Sequence, residues 1–169
     1  MPRLIRNGAL VADRWALLRD AASIADVPAQ GAVIVPLALW AAGRDALIAR
    51  GDVGVLLSPA DDPAALGEDL ATLPVIAIDF PTFVDGRGYS IARLLREQHR
   101  YRGELRAVGD VLRDQLYLMA ECGFDAFVVR ADRDAADALA GLFDFPGIYA
   151  PTARAPLPWF RRRVASLEN

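Results

Sequence analysis

The chain of 169 residues contains no lysine: all nineteen of its basic residues are arginine. Lysine Schiff-base chemistry is therefore excluded. There is one cysteine, Cys122, and one histidine, His99. A single cysteine makes no internal disulfide, no multi-cysteine zinc site and no iron–sulfur cluster within the chain. One histidine leaves few ways to build a metal centre, and none is expected. Nor does any apolar run reach the roughly 18 residues of a membrane span. The opening MPRLIRNGALVADRW carries no apolar signal core, so the expected location is the cytoplasm.

What is present is the composition of a globular chain, 54% apolar and 24% charged, with a formal net charge of −3. That balance gives no global field for nucleic acid or acidic lipid. The length suits one domain, with an N-terminal hairpin and connection over 1–30, a β-α core over 31–145 and a Pro/Arg-rich tail over 146–169.

LIRN and ALVADRWAL read as two strands joined at Asn7-Gly8, a strong hairpin turn. From Ala32 onward, short continuous apolar runs alternate with helical periods. AVIVPLALW, where Pro36 either stops the strand or marks a sheet edge, DVGVLLSP, PVIAIDF, ELRAVG and DAFVVRA are the strand runs. The helices are expected to end at Gly51, to run from Pro63 to Leu73, from Ser90 to Arg102 with Gly103 as the stop, from Val111 to about Glu121, and over RDAADALAGLF. Asp110 is expected to cap the fourth. This rhythm predicts an α/β fold of repeated β-α units: a mainly parallel open sheet, or a partial barrel, with helices on its faces and a small N-terminal hairpin.

In such folds ligands sit outside the carboxyl ends of the strands. That edge collects Ser58, Asp61 and Asp62, then Asp79 with the loop PTFVDGRGYS, then Asp110, then Arg130 and Asp132. Asp85, Gly86, Arg87, Gly88, Tyr89 and Ser90 lie just ahead of a helix, where free amides and a guanidinium favour a small oxyanion. An ordinary turn with an Arg–Asp pair is the plain alternative. Asp79, Asp85 and Asp110 form a second candidate set, for Mg²⁺ or proton transfer. Asp79 needs a partner, with Arg87 or Arg106 as candidates. Arg93, Arg96 and Arg100 recur at three and four residues, giving one helical stripe that is either a solvated face or a docking surface for an acidic protein. Cys122, before Gly123, reads as a small buried hydrophobe.

DFPTFVDGRGYSIARLLRE, YRGELRAVGDVLRDQL and CGFDAF together resemble the bacterial family known as domain of unknown function 934. Members are often labelled as oxidoreductases involved in sulfite reduction, and their genes commonly lie beside those of sulfite reductase and phosphoadenylyl-sulfate reductase. The resemblance therefore implies an accessory protein of assimilatory sulfite reduction, with sulfite reductase or an associated electron-transfer protein as partner. It assigns no residue a role. The chain itself shows no cofactor motif, neither G-x-G-x-x-G nor a P-loop. The alternative is a small-molecule enzyme or oxyanion-binding protein with its site at the sheet edge; homo-oligomerisation is left open.

Overall fold

A computed structural model describes residues 3–158 and residue 161. Eight strands form one sheet in the order β2-β1-β8-β7-β6-β5-β4-β3. The strands are β1 (Arg3–Arg6), β2 (Ala9–Ala12), β3 (Trp15–Leu17), β4 (Ala32–Pro36), β5 (Val53–Leu57), β6 (Val75–Phe80), β7 (Glu104–Gly109) and β8 (Ala126–Val128). From β3 through β8 all neighbours are parallel, while β1 joins β2 and β8 antiparallel. The expected α/β architecture and N-terminal hairpin are both present.

The N-terminal segment departs from the sequence expectation. ALVADRWAL is not one strand: it breaks at Asp13-Arg14, and the two pieces lie on opposite edges of the sheet. Laid flat, eight strands would hold those edges about 33 Å apart. Two intervening residues span at most about 11 Å from Ala12 to Trp15. The sheet must therefore curl, and it forms a half-barrel whose free edges approach each other across Asp13 and Arg14.

Curling gives the sheet two different faces. On the convex side Val33, Val35, Val55, Leu57, Ile76, Ile78, Phe80, Leu105 and Phe127 pack under the helices. These are α1 (Leu37–Arg50), α2 (Arg87–Arg93), α3 (Leu116–Glu121) and α4 (Ala135–Ala140). On the concave side Trp15, Ile34, Leu56, Val75, Ala77 and Val108 form a second, smaller core. Strands buried on both faces need apolar side chains in both parities, which is why these runs are continuous instead of alternating.

The concave core closes at its amino end with charge. Arg106, 1% exposed, reaches both carboxylate oxygens of Asp13 at 3.0 and 2.8 Å, and its Nε donates to Glu104 at 2.8 Å. The Asp13 carboxylate also accepts from the Trp15 backbone N–H, at 3.0 Å. One buried guanidinium on β7 thus ties down the link between the two sheet edges.

The connections differ locally from the pattern read in sequence. Pro36 ends β4 and α1 begins directly at Leu37, since proline donates nothing to the ladder. The segment Pro63–Ala71 is a 3-10 path broken at Gly67 (φ 51°), with Asp62 capping through the Ala64 N–H. The third helix begins at Arg87 and passes into a π turn over Leu94–Gln98, ending four residues before the expected Arg102. Before α3 the chain takes a 3-10 turn over Arg113–Gln115, and Gln115, not Asp110, caps it by accepting from the Leu112 N–H. Beyond the last helix the chain folds back: Thr152 donates to the Glu121 carboxylate at 2.6 Å and the Ala153 N–H to the Glu121 carbonyl.

Candidate functional site

At the carboxyl end of the strands the concave core opens to solvent. Trp15, Leu17 and Arg19 share one face of β3 and its extension, because alternate residues of a strand point the same way. Trp15 and Leu17 join the concave core, and Arg19 follows them to its rim. There it donates to Asp79, at the end of β6, at 2.5 Å. Across the mouth Arg130, following β8, donates through Nη1 to Asp110 at 2.7 Å and through Nε to Asp132 at 2.6 Å. The two arginines thus enter from strands that sit far apart in sheet order.

Between them lies Gly109 (φ 100°), where a side chain has no room. A Cβ there would stand 2.4 Å from the Phe80 carbonyl oxygen and 2.7 Å from Asp79 Oδ1. Beside it lies a hollow of about 610 Å³, floored by Leu17, Val108 and Val128 and rimmed by Arg19, Arg130 and Arg133. A second depression of about 470 Å³ continues over Asp79, Pro81 and Asp110, sharing Arg19, Gly109 and Arg130 with the first. Its size suits a small molecule.

The electrostatics follow from pairing. Hydrogen bonds from Arg130 hold the Asp132 carboxyl below the usual carboxylate range, and Asp132 with Asp110 raises the arginine in turn. Both guanidinium groups stay partly open, with side chains 38% and 36% exposed for Arg19 and Arg130. Arg19 uses one of its five N–H donors on Asp79. The mouth therefore offers unused donors beside carboxylate acceptors.

The sequence-derived candidates divide. Asp79 and Asp110 belong to the mouth, with Arg19 and Arg130 as their partners; neither Arg87 nor Arg106 meets Asp79. Asp110 does not cap a helix, and its second oxygen accepts from the Phe83 N–H at 2.9 Å. Asp85, Gly86, Arg87, Gly88, Tyr89 and Ser90 do not line the mouth. Asp85 binds the Arg87 backbone N–H at 3.1 Å and its guanidinium at 3.0 and 2.7 Å, so the expected anion seat is filled by the chain's own carboxylate. That contact holds the Asp85 carboxyl below its ordinary value. Gly88 is required for packing: a Cβ would lie 2.6 Å from the Phe80 ring. Tyr89 stacks edge-on to Phe80, and burial pushes its phenol up.

As a metal set, Asp79, Asp85 and Asp110 are each claimed by a different arginine. Among the described residues no group of three His, Cys, Asp or Glu side chains could hold a metal. Ser58, Asp61 and Asp62 are spent on local turns.

The docking stripe does not form. Arg93 pairs with Glu97 on the surface, but Arg96 turns inward to the carbonyls of Tyr101, Gly103 and Gly123 and to Asp125. Arg100 falls past the helix end with φ 56°, because the π turn shifts the register. The WFRRR segment lies outside the described residues except Arg161, which is exposed. Cys122 is buried, and burial pushes its thiol up, as suits a packing residue. Arg19 and Asp13 escaped the sequence reading; the Trp15, Leu17, Arg19 alternation was the available signal.

Fold and site together define a curled α/β half-barrel with an arginine–aspartate mouth at the carboxyl end of its strands. A family profile described as bacterial protein of unknown function (DUF934) matches residues 54–160, and the chain belongs to that family. No curated protein and no solved structure matches it. No helix among the described residues is long and apolar enough to cross a membrane.

Proposed function

We propose that the protein holds a small oxyanion at the half-barrel mouth, and that it does so as an accessory protein of assimilatory sulfite reduction beside sulfite reductase or its electron donor. The observation that carries the first part is the convergence of Arg19 and Arg130, with donors to spare, on the two hollows that meet at Gly109. Arginine forks match oxyanions in shape and charge. Because Asp79 and Asp110 stand beside them, the net charge of the mouth is low, and an oxyanion that still carries a proton fits best. Hydrogen sulfite or hydrogen phosphate would accept from Arg19 and donate to a carboxylate. The pathway rests on the resemblance of the Asp79–Asp125 motifs. The docking part of that reading loses Arg96, so a partner would meet the mouth or the tail.

Thermal-shift and calorimetric titration with sulfite, sulfate and phosphate test the site. A ligand at 100 times its Kd adds about 2.7 kcal/mol of stability, and Arg19→Gln or Arg130→Gln abolishes that gain while Arg87→Gln leaves it. No shift with any oxyanion removes this reading. Sulfite reductase turnover with its physiological donor, with and without this protein, tests the pathway; identical rates refute it.

A further inference from the structure

A second hollow, of about 500 Å³, opens at the other end of the strands, where the β1–β2 turn, the Gly123–Asp125 link and the turn at Phe143 meet. Its floor is apolar: Phe124, Phe127 and Leu142 are all buried. On its rim Phe143 is 68% exposed, a large ring left facing solvent. One wall is rigid, since Arg96 spends its donors on three carbonyls and on Asp125, and Asp125 also accepts from the Leu105 N–H. That pair cancels its own charge. The remaining charge is positive: Arg102 is exposed with no carboxylate partner among the described residues, and Arg154 stands 3.8 Å from Glu121 with its side chain 56% exposed.

We propose that this hollow binds a small organic anion with an apolar ring, its acid group held by Arg102 and Arg154 and its ring laid between Phe143 and the buried Phe124–Phe127 floor. The volume falls in the range of small-molecule sites, roughly 300 to 1,000 Å³. A cation finds no free carboxylate, because Asp125, the one that lines the hollow, is already bound twice. An inorganic anion alone would leave the exposed Phe143 ring uncovered, whereas a ring packs against it. The site is independent of the mouth, which lies at the opposite ends of the same strands.

The probe is 8-anilinonaphthalene-1-sulfonate, a ring system bearing one fixed anion, titrated by fluorescence against the folded full chain. Saturable binding at one site per chain is expected, with displacement by phenylacetate and none by acetate. Arg102→Glu with Arg154→Glu weakens it by about tenfold or more, the equivalent of roughly 1.4 kcal/mol. Phe143→Ala, a single change at an exposed ring, cuts the emission increase without touching either charge, so the proposal is testable even where the double variant fails to fold. Saturating sulfite leaves the signal intact. Non-saturable fluorescence, equal affinity in a folded double variant, an unchanged signal in Phe143→Ala, or displacement by sulfite would each overturn the assignment.

Discussion

Replacing Asp13 with alanine removes the carboxylate that holds the two sheet edges together. Arg106, with its side chain only 2% exposed, then loses two of its hydrogen bonds and keeps Glu104, itself shared with Arg6 at 3.5 Å. Breaking a buried ion pair from one side costs about 3–5 kcal/mol, since the remaining charge stays out of water without compensation. A chain of this size holds about 5–15 kcal/mol in all. At about 2–4 °C per kcal/mol, Asp13→Ala lowers Tm by about 6–20 °C in thermal unfolding followed by far-ultraviolet circular dichroism. The double variant Asp13→Ala with Arg106→Met removes both charges and recovers much of the loss, because an apolar replacement of a buried pair is close to neutral. A loss below about 1 kcal/mol for Asp13→Ala, or a double variant no better than the single one, would refute the view that this pair clamps the curled sheet.

Three further outcomes follow from the same structure. Gly109→Ala forces a non-glycine residue to φ 100° and drives its Cβ into Phe80 O; urea unfolding should show a loss of about 2–3 kcal/mol, and oxyanion-induced stabilisation should vanish with it. Gly88→Ala presses on the fully buried Phe80 ring at 2.6 Å, an overpacking cost of about 1–3 kcal/mol with the mouth's ligand response intact. Asp69 accepts from Arg44 and from the Trp40 indole, and the Arg44 hydrogen bonds hold its carboxyl below the ordinary value. Its folded pKa is depressed, so its stabilisation is complete above the unfolded carboxylate value of about 4 and is lost as pH falls through the folded one. Asp69→Asn should be less stable at pH 7 and show a flatter acid limb in Tm against pH; parallel limbs would contradict the assignment.

The strand positions were legible because parallel strands buried on both faces read as continuous apolar runs, and ELRAVG was bounded at the same residues by sequence and structure. Helix ends were less legible. The expected stop at Gly103 reflected a glycine that serves another purpose: its Cβ would meet the Tyr101 hydroxyl and the Leu73 carbonyl. The π turn that ends the helix early has no local marker. Asp110 looked like a cap because Asp before a helix usually is one, but a closer donor, Arg130, lay twenty residues away.

The candidate site shows the same division. Sequence alone determined that carboxylates and arginines gather at the carboxyl edge of a parallel sheet, since β-α repetition sends every strand end to one side. It also determined the family and the absence of lysine, of clustered cysteine and of a nucleotide-loop motif. Which arginine meets which aspartate was decided only by curvature. A flat sheet would hold Arg19 and Arg130 on distant strands, and Asp13 beyond the reach of Arg106. The two-residue link across the seam bends eight strands into a half-barrel, and that bend turns separate strand ends into one mouth.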